Sequence, residues 1–168
     1  MAILNFAEKV YGWLILAGNL LQPVLILILR LTWGWQFFVT GKGKLLNHPD
    51  IVDFFTSLGI PFPDLNAWFV GGLECFGGLM LMAGLASRPL SLMLSVNMMV
   101  AFMSVSDERA KLFNAMNDLD SFTQADPFLF MLVSLIVFAF GPGVLSVDYL
   151  VGKYVVKKKP ESSQDTAA

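Results

Sequence analysis

Two side chains of opposite charge lie inside stretches that otherwise have the composition of membrane-spanning helices. Arg30 lies in PVLILILRLTWGWQFFV, and Glu74 lies in LNAWFVGGLECFGGLMLMAGLA. A charged side chain at the centre of a bilayer costs roughly 3 kcal/mol on insertion scales, so it usually faces a partner or a polar cavity. The two charges therefore predict a polar site in which Arg30 binds a carbonyl or an anion and Glu74 accepts or relays a proton.

Counting residues from the expected outer ends of the helices places both charges in one layer. At a rise of 1.5 Å per residue, Arg30 is about 16 Å below Gly41, the expected end of the first span, and Glu74 is about 14 Å below Leu65, the expected start of the second. The same count adds Asn97 and Ser134 from two further helices, and Trp33 lies close to Arg30 in the sequence. Asn97 would orient a ligand, and the five residues together predict a site for a quinone or a small anion.

A structural role is the alternative for the same charges. Arg30 and Glu74 could form an interhelical ion pair that only fixes helix order, since polar contacts between membrane helices stabilise by about 0.6 kcal/mol on average. A second, purely structural ion pair is predicted between Arg88 and Asp148, because each follows a predicted span on the same side of the membrane.

Composition identifies the chain as a membrane protein. Only 14% of its 168 residues are charged, against about 25% in soluble domains. Four segments have the length and apolarity of membrane spans. The prediction is an all-α integral membrane four-helix bundle with interfacial amphipathic helices. A single transmembrane domain (1–156) precedes a disordered cytoplasmic tail (157–168). The predicted spans cover 22–40, 65–86, 89–106 and 126–141.

The loops predict the orientation and the amphipathic helices. The side that holds both termini carries six basic residues against four on the other side, which favours cytoplasmic termini in a multi-pass protein. Each outer loop has an apolar stripe at helical spacing, so both loops are expected to cover the outer end of the bundle or to lie on the headgroups. The stripes are Ile51, Phe54, Phe55 and Leu58, and Leu112, Phe113, Met116 and Leu119.

Composition also excludes several functions. A net charge of -2 argues against nucleic-acid binding. Cys75 is the only cysteine and His48 the only histidine. A dithiol redox pair and bis-histidine haem ligation are therefore excluded within the chain, and no metal site is expected.

Several short segments occur in a characteristic order along residues 21–150. An arginine in the first span is followed by GKGKL, then ECFGG in the second span, GLASR at the next turn and GPGVLSVD after the fourth span. Together these segments resemble the DoxX family of small four-helix membrane proteins. The resemblance implies a bundle in the bacterial inner membrane, embedded in the lipid bilayer.

DoxX-like proteins are associated with membrane oxidoreductase complexes. These include subunits of a terminal quinol oxidase or thiosulfate:quinone oxidoreductase, and a mycobacterial complex linked to thiol and oxidant defence. The resemblance implies an oxidoreductase subunit or accessory protein with other subunits as partners, and with quinone as a non-covalent cofactor. Two other functions stay open: a non-enzymatic scaffold or assembly factor, and a small transporter that works as a homo-oligomer.

Overall fold

The computed structural model describes residues 2–154, and all regular secondary structure within this range is helical. The predicted tail (157–168) lies outside the described residues. The helices are α1 (Ala2–Leu46), α2 (His48–Ser57), α3 (Pro63–Ala83), α4 (Ser87–Ser104), α5 (Ser106–Phe113), α6 (Leu119–Thr123), α7 (Asp126–Phe140) and α8 (Val147–Tyr154).

The helices α1 and α3 are long and apolar enough to cross a membrane. A third span results if α4 and α5, which meet at an angle of 101°, count as one broken span. At 15 residues, α7 is about 23 Å long and shorter than the hydrocarbon core of about 30 Å. The protein is thus a membrane protein whose described residues form only helices, while the fourth predicted span is a short apolar helix.

The first helix extends beyond the predicted span of 22–40 in both directions. It runs without a break from Ala2 to Leu46, and Pro23 lies inside it. It also passes through Gly41, the expected end of the first span. The N-terminal stretch therefore continues the first span as one helix. All side chains from Glu8 to Gln22 are exposed.

Small residues allow α1 and α3 to pack closely in antiparallel directions. A side chain on Gly41 would collide with the backbone of Glu74 and Cys75, and one on Gly78 would collide with the backbone of Gly34. Glycine at such positions lets membrane helices approach closely. Gly41 is therefore a contact residue within α1, which explains why it does not end the helix.

A second closely packed pair consists of α4 and α7, and it contacts the first pair through an apolar core. Phe37 of α1 contacts Phe130 of α7 at 4.7 Å between ring centroids. The seam between α3 and α4 includes Gly77, whose added side chain would reach Leu90 and Leu94. The buried core cluster comprises Phe37, Leu81, Leu90, Leu94, Met98, Val133 and Val137.

Candidate functional site

The structure separates the two charges that the sequence placed in one layer. Gly41 of α1 lies against Glu74 and Cys75 of α3, and Arg30 precedes Gly41 by 11 residues, which is about 16 Å along the helix. The predicted Arg30–Glu74 pair is therefore wrong. The error arose because depth was counted from Gly41 as a helix end, and α1 continues past it.

Arg30 is 1% exposed and binds backbone carbonyls. Its Nε donates to the carbonyl of Leu81 at 2.9 Å, and Nη2 donates to that of Met82 at 2.8 Å. Its Nη1 donates to the carbonyls of Pro142 at 2.6 Å and Leu145 at 3.0 Å. The guanidinium thus joins the C-terminal end of α3, where carbonyls lack helical partners, to the segment that follows α7.

Asp148 completes this end of the bundle, but its partners are not those predicted. Its two carboxylate oxygens accept hydrogen bonds from the backbone N–H groups of Ala86 and Ser87, each at 2.7 Å. Its own N–H donates to the carbonyl of Gly84 at 2.9 Å. Within residues 2–154 it forms no ion pair with Arg88, so the predicted Arg88–Asp148 bridge is wrong. The first N–H groups of a helix are unpaired and attract a carboxylate. Asp148 therefore binds the N-terminal end of α4 and not the Arg88 side chain.

We call this region, with Arg30, residues 81–87 and residues 141–148, the Arg30 end. Gly84 has φ +71°, and a side chain there would collide with Arg30 and Ser146. Ala86 also has a positive φ, +47°. The turn between α3 and α4 therefore packs directly against the guanidinium, which is almost completely buried. The Arg30 end is a closed structural joint.

Glu74 occupies a different cluster, to which three helices contribute. The Lys44 ammonium of α1 lies 2.5 Å from both carboxylate oxygens. The Asn97 side-chain amide of α4 donates to Oε1 at 3.0 Å. Glu74 is 1% exposed, whereas the Lys44 side chain is 29% exposed. We call this cluster the polar triad, and the region around it the Glu74 end.

Sequence reasoning missed Lys44 as the partner of Glu74, although a signal was present. Gly34, Gly41 and Lys44 are spaced by seven and three residues, which places them on one face of a helix. Because the predicted first span ended at residue 40, Lys44 was placed in the loop that follows it. A continuous α1 turns the same residue toward α3.

The polar triad lies at a cavity of about 300 Å³. Lys44, Glu74 and Asn97 all line it, and the remaining lining residues are mostly apolar. Two hydrogen bonds from the Lys44 ammonium to Glu74 leave a third N–H. The cavity can therefore receive an apolar molecule that carries a hydrogen-bond acceptor at one end.

The amphipathic helix α2 covers this cavity. Of the two positions predicted for it, over the outer end of the bundle or on the headgroups, the structure has the first. Its predicted apolar face, with Ile51, Phe54, Phe55 and Leu58, lines the cavity. At its start, His48 stacks on Trp68 of α3 with 4.4 Å between ring centroids. The stripe predicted for the second loop does not line the cavity. Phe113, Met116 and Leu119 are 71%, 96% and 63% exposed.

Two other predicted site residues lie behind the cavity wall. The Ser134 hydroxyl donates to the carbonyl of Phe130 in its own helix at 2.8 Å. Trp33 packs edge-on against the Phe130 ring at 5.0 Å between centroids. Phe130 itself lines the cavity, and neither Ser134 nor Trp33 does. The structure thus brings Glu74 and Asn97 together, and it places Arg30, Ser134 and Trp33 elsewhere.

A metal-binding group of three or more His, Cys, Asp or Glu side chains is absent from the described part of the chain. The chemistry available at the cavity is hydrogen bonding and proton exchange through the polar triad. Cys75, next to Glu74, is a buried free cysteine, and its backbone packs against Gly41.

Comparison with known proteins gives a family match that includes Arg30 and the polar triad, whereas residues 141–148 of the Arg30 end lie outside it. The model of the DoxX family matches residues 25–107. The chain is 28% identical over 127 residues to "Putative oxidoreductase CatD" of Bacillus subtilis (strain 168), covering 76% of this chain and 87% of that protein. It is 31% identical over 72 residues to "Inner membrane protein YphA" of Escherichia coli (strain K12), covering 43% of this chain and 51% of that protein. No solved structure gives a significant match.

Proposed function

Starting from the match over residues 25–107, which makes this chain a membrane protein of the DoxX family, we propose that it is a subunit of, or accessory to, a membrane oxidoreductase. In this proposal it binds a quinone-class molecule in the cavity at the polar triad. The name of the Bacillus subtilis relative refers to an oxidoreductase, and that of the Escherichia coli relative to the inner membrane. We extend the oxidoreductase role and the inner-membrane location to this chain. We further propose that it crosses the membrane several times and has cytoplasmic termini, as its basic residues favour.

The observation that carries the proposal is a buried, paired carboxylate that lines an otherwise apolar cavity. A buried ion pair stabilises a fold little compared with apolar packing of the same volume, whereas ionisable groups within membranes usually serve function. The cavity of about 300 Å³ lies within the range of small-molecule sites, which combine apolar walls with a few polar groups. A quinone matches this pattern, because it has an apolar ring and carbonyl acceptors.

Each member of the polar triad has a distinct role in this proposal. The free N–H of Lys44 donates to a quinone carbonyl. Glu74 holds Lys44 in position, and the two groups can exchange a proton across the 2.5 Å contact. Asn97 fixes the carboxylate from α4. Electrons would come from a partner subunit, because the described residues supply proton and hydrogen-bonding groups but no dithiol.

Quinone titration of the purified protein in nanodiscs tests the proposal. Wild type is expected to bind a short-chain quinone. Lys44→Met and Glu74→Gln should bind about tenfold more weakly, as expected for loss of one charge-assisted hydrogen bond. Ser134→Ala is the matched control, since Ser134 is buried but bonds only within its own helix. Undetectable binding by wild type, or equal affinity in all four proteins, would reject the quinone site.

A non-enzymatic scaffold or assembly factor is the second candidate, and the exposed N-terminal part of α1 favours it. Tyr11, Trp13 and Leu20 are each more than 60% exposed, which leaves apolar surface for a partner helix or for lipid. Co-purification of a stable partner that is lost when residues 2–20 are deleted, together with no quinone binding, would support this candidate.

A further inference from the structure

The seam between α3 and α4 is closed at one end of the bundle and open at the other. At the closed end, residues 84–86 connect the two helices directly, and Gly77 packs toward Leu90 and Leu94. About one helical turn further along the seam, Asn97 donates a hydrogen bond to Glu74. Beyond it the helices face each other across the cavity.

The cavity residues of both helices form facing stripes. On α3 they are Asn66, Val70 and Glu74, which are spaced by four residues, and on α4 they include Asn97, Ala101 and Ser104. Such spacings place each set on one helix face. The cavity is therefore a slot between α3 and α4, with the polar triad at its inner end.

One side of the slot reaches the surface of the bundle. Val100 lines the cavity and is nevertheless 53% exposed, so it lies on the rim. The covering helix α2 packs against α3 and α1, which leaves the α4 side of the slot with less cover. Phe54, on α2, is likewise a lining residue that is 46% exposed.

The surface around this rim is apolar. Val96 and Met103 flank Val100 on α4 and are 55% and 44% exposed, and Phe69 of α3 is 53% exposed. Exposed apolar side chains on a spanning helix face lipid. A molecule dissolved in the bilayer could thus enter the slot sideways without passing through water.

We infer that the slot between α3 and α4 is a lateral portal through which a bilayer-dissolved quinone-class ligand enters, with its head at the polar triad and its alkyl or isoprenoid tail between Val70 and Val100. This inference rests on the proposed function and adds the route and the ligand class. The ligand is an amphiphile with a long apolar tail, because the path from lipid to the polar triad runs between apolar side chains such as Val70 and Val100.

Two tryptophan variants of α4 distinguish the rim from the neighbouring lipid-facing surface. Val100→Trp enlarges the rim residue. Val96→Trp makes the same change about one turn away, at a position that is equally exposed but does not line the cavity. Binding of a long-chain and a short-chain quinone with the same ring is measured in nanodiscs, with ligand concentration expressed per lipid.

The portal predicts that wild type and Val96→Trp bind the long-chain quinone alike, and that Val100→Trp binds it at least tenfold more weakly or more slowly. A photoreactive group midway along the tail should label residues 66–70 and 100–104. If Val100→Trp and Val96→Trp behave alike and the label is found elsewhere, the portal is wrong, while short-chain binding keeps the proposed function. If wild type binds neither quinone, both proposals fail.

Discussion

Each end of the bundle contains one buried ion, and the two ions are satisfied in different ways. Arg30 donates to four backbone carbonyls, and Gly84 and Ser146 fill the space beside it. Glu74 is held by two side chains, and its cluster faces a cavity. The partner type and the free space therefore distinguish the two charges, which look equivalent in the sequence.

The difference has a physical basis in how each partner can move. Backbone carbonyls are fixed by their helices and loops, so a guanidinium that binds four of them determines where those segments lie. Its planar array of donors suits such a role. A lysine on a flexible stem can release one contact and form another. The Arg30 end therefore determines helix positions, and the Glu74 end is available for exchange with a ligand.

Replacement of Arg30 is expected to have the largest effect. Arg30→Leu removes the guanidinium donor from the carbonyls of Leu81, Met82, Pro142 and Leu145, and a carbonyl left unpaired away from water costs about 1–3 kcal/mol. A loss of stability of at least about 3 kcal/mol should appear in thermal unfolding of the detergent-solubilised protein. Arg30→Lys is the control and should retain part of the stability, because it keeps the charge but has fewer donors. An unchanged unfolding temperature in Arg30→Leu would show that the joint is not structural.

The polar triad should separate stability from ligand binding. Lys44→Met alone buries an unpaired carboxylate and Glu74→Leu alone leaves an unpaired ammonium, so each should cost about 1–3 kcal/mol. The double variant Lys44→Met/Glu74→Leu should recover most of that stability, since apolar replacement of a buried ion pair is often neutral. It should not recover quinone binding.

The stability half of this prediction is measured by a double-mutant cycle of unfolding free energies, and the binding half by quinone titration of the same proteins. If the double variant recovered both stability and quinone binding, the polar triad would have only a structural role, as Arg30 does. The contrast between the two ends would then disappear.

The smallest expected effect concerns the cap at the start of α4. Asp148→Ala removes the acceptor for the N–H groups of Ala86 and Ser87, and loss of such a cap typically costs about 1 kcal/mol. Arg88→Ala should have little effect on the same unfolding measurement. Equal losses in the two single variants, without further loss in the double variant, would instead support the Arg88–Asp148 bridge that the sequence predicted.

Hydropathy and residue spacing predicted the elements of this molecule better than their relative heights. The helical character and the apolar face of α2 were accessible from local pattern, and the count of depth along the helices placed Asn97 near Glu74. The contact between α1 and α3 was not, because glycine indicates both a helix end and a close helix contact. Choosing the first meaning for Gly41 shifted Arg30 toward Glu74 and removed Lys44 from the bundle.

Contacts between a charged side chain and backbone were equally inaccessible. Any residue supplies a carbonyl or an N–H group, so the partners of Arg30 and Asp148 carry no recognisable residue type. Complementary charge suggested Glu74 and Arg88 as the partners. Unpaired backbone carbonyls at the C-terminal end of α3 bind Arg30 instead, and unpaired backbone N–H groups at the N-terminal end of α4 bind Asp148.

The length of α1 has a consequence for how the protein sits in its membrane. The helix has 45 residues and is about 68 Å long, more than twice the hydrocarbon thickness of about 30 Å. Even at a tilt of about 40°, the upper end of the usual range, only about 39 Å fits in the hydrocarbon. The mismatch makes α1 sensitive to bilayer thickness, since a thicker membrane would draw more of the exposed segment from Glu8 to Gln22 into lipid.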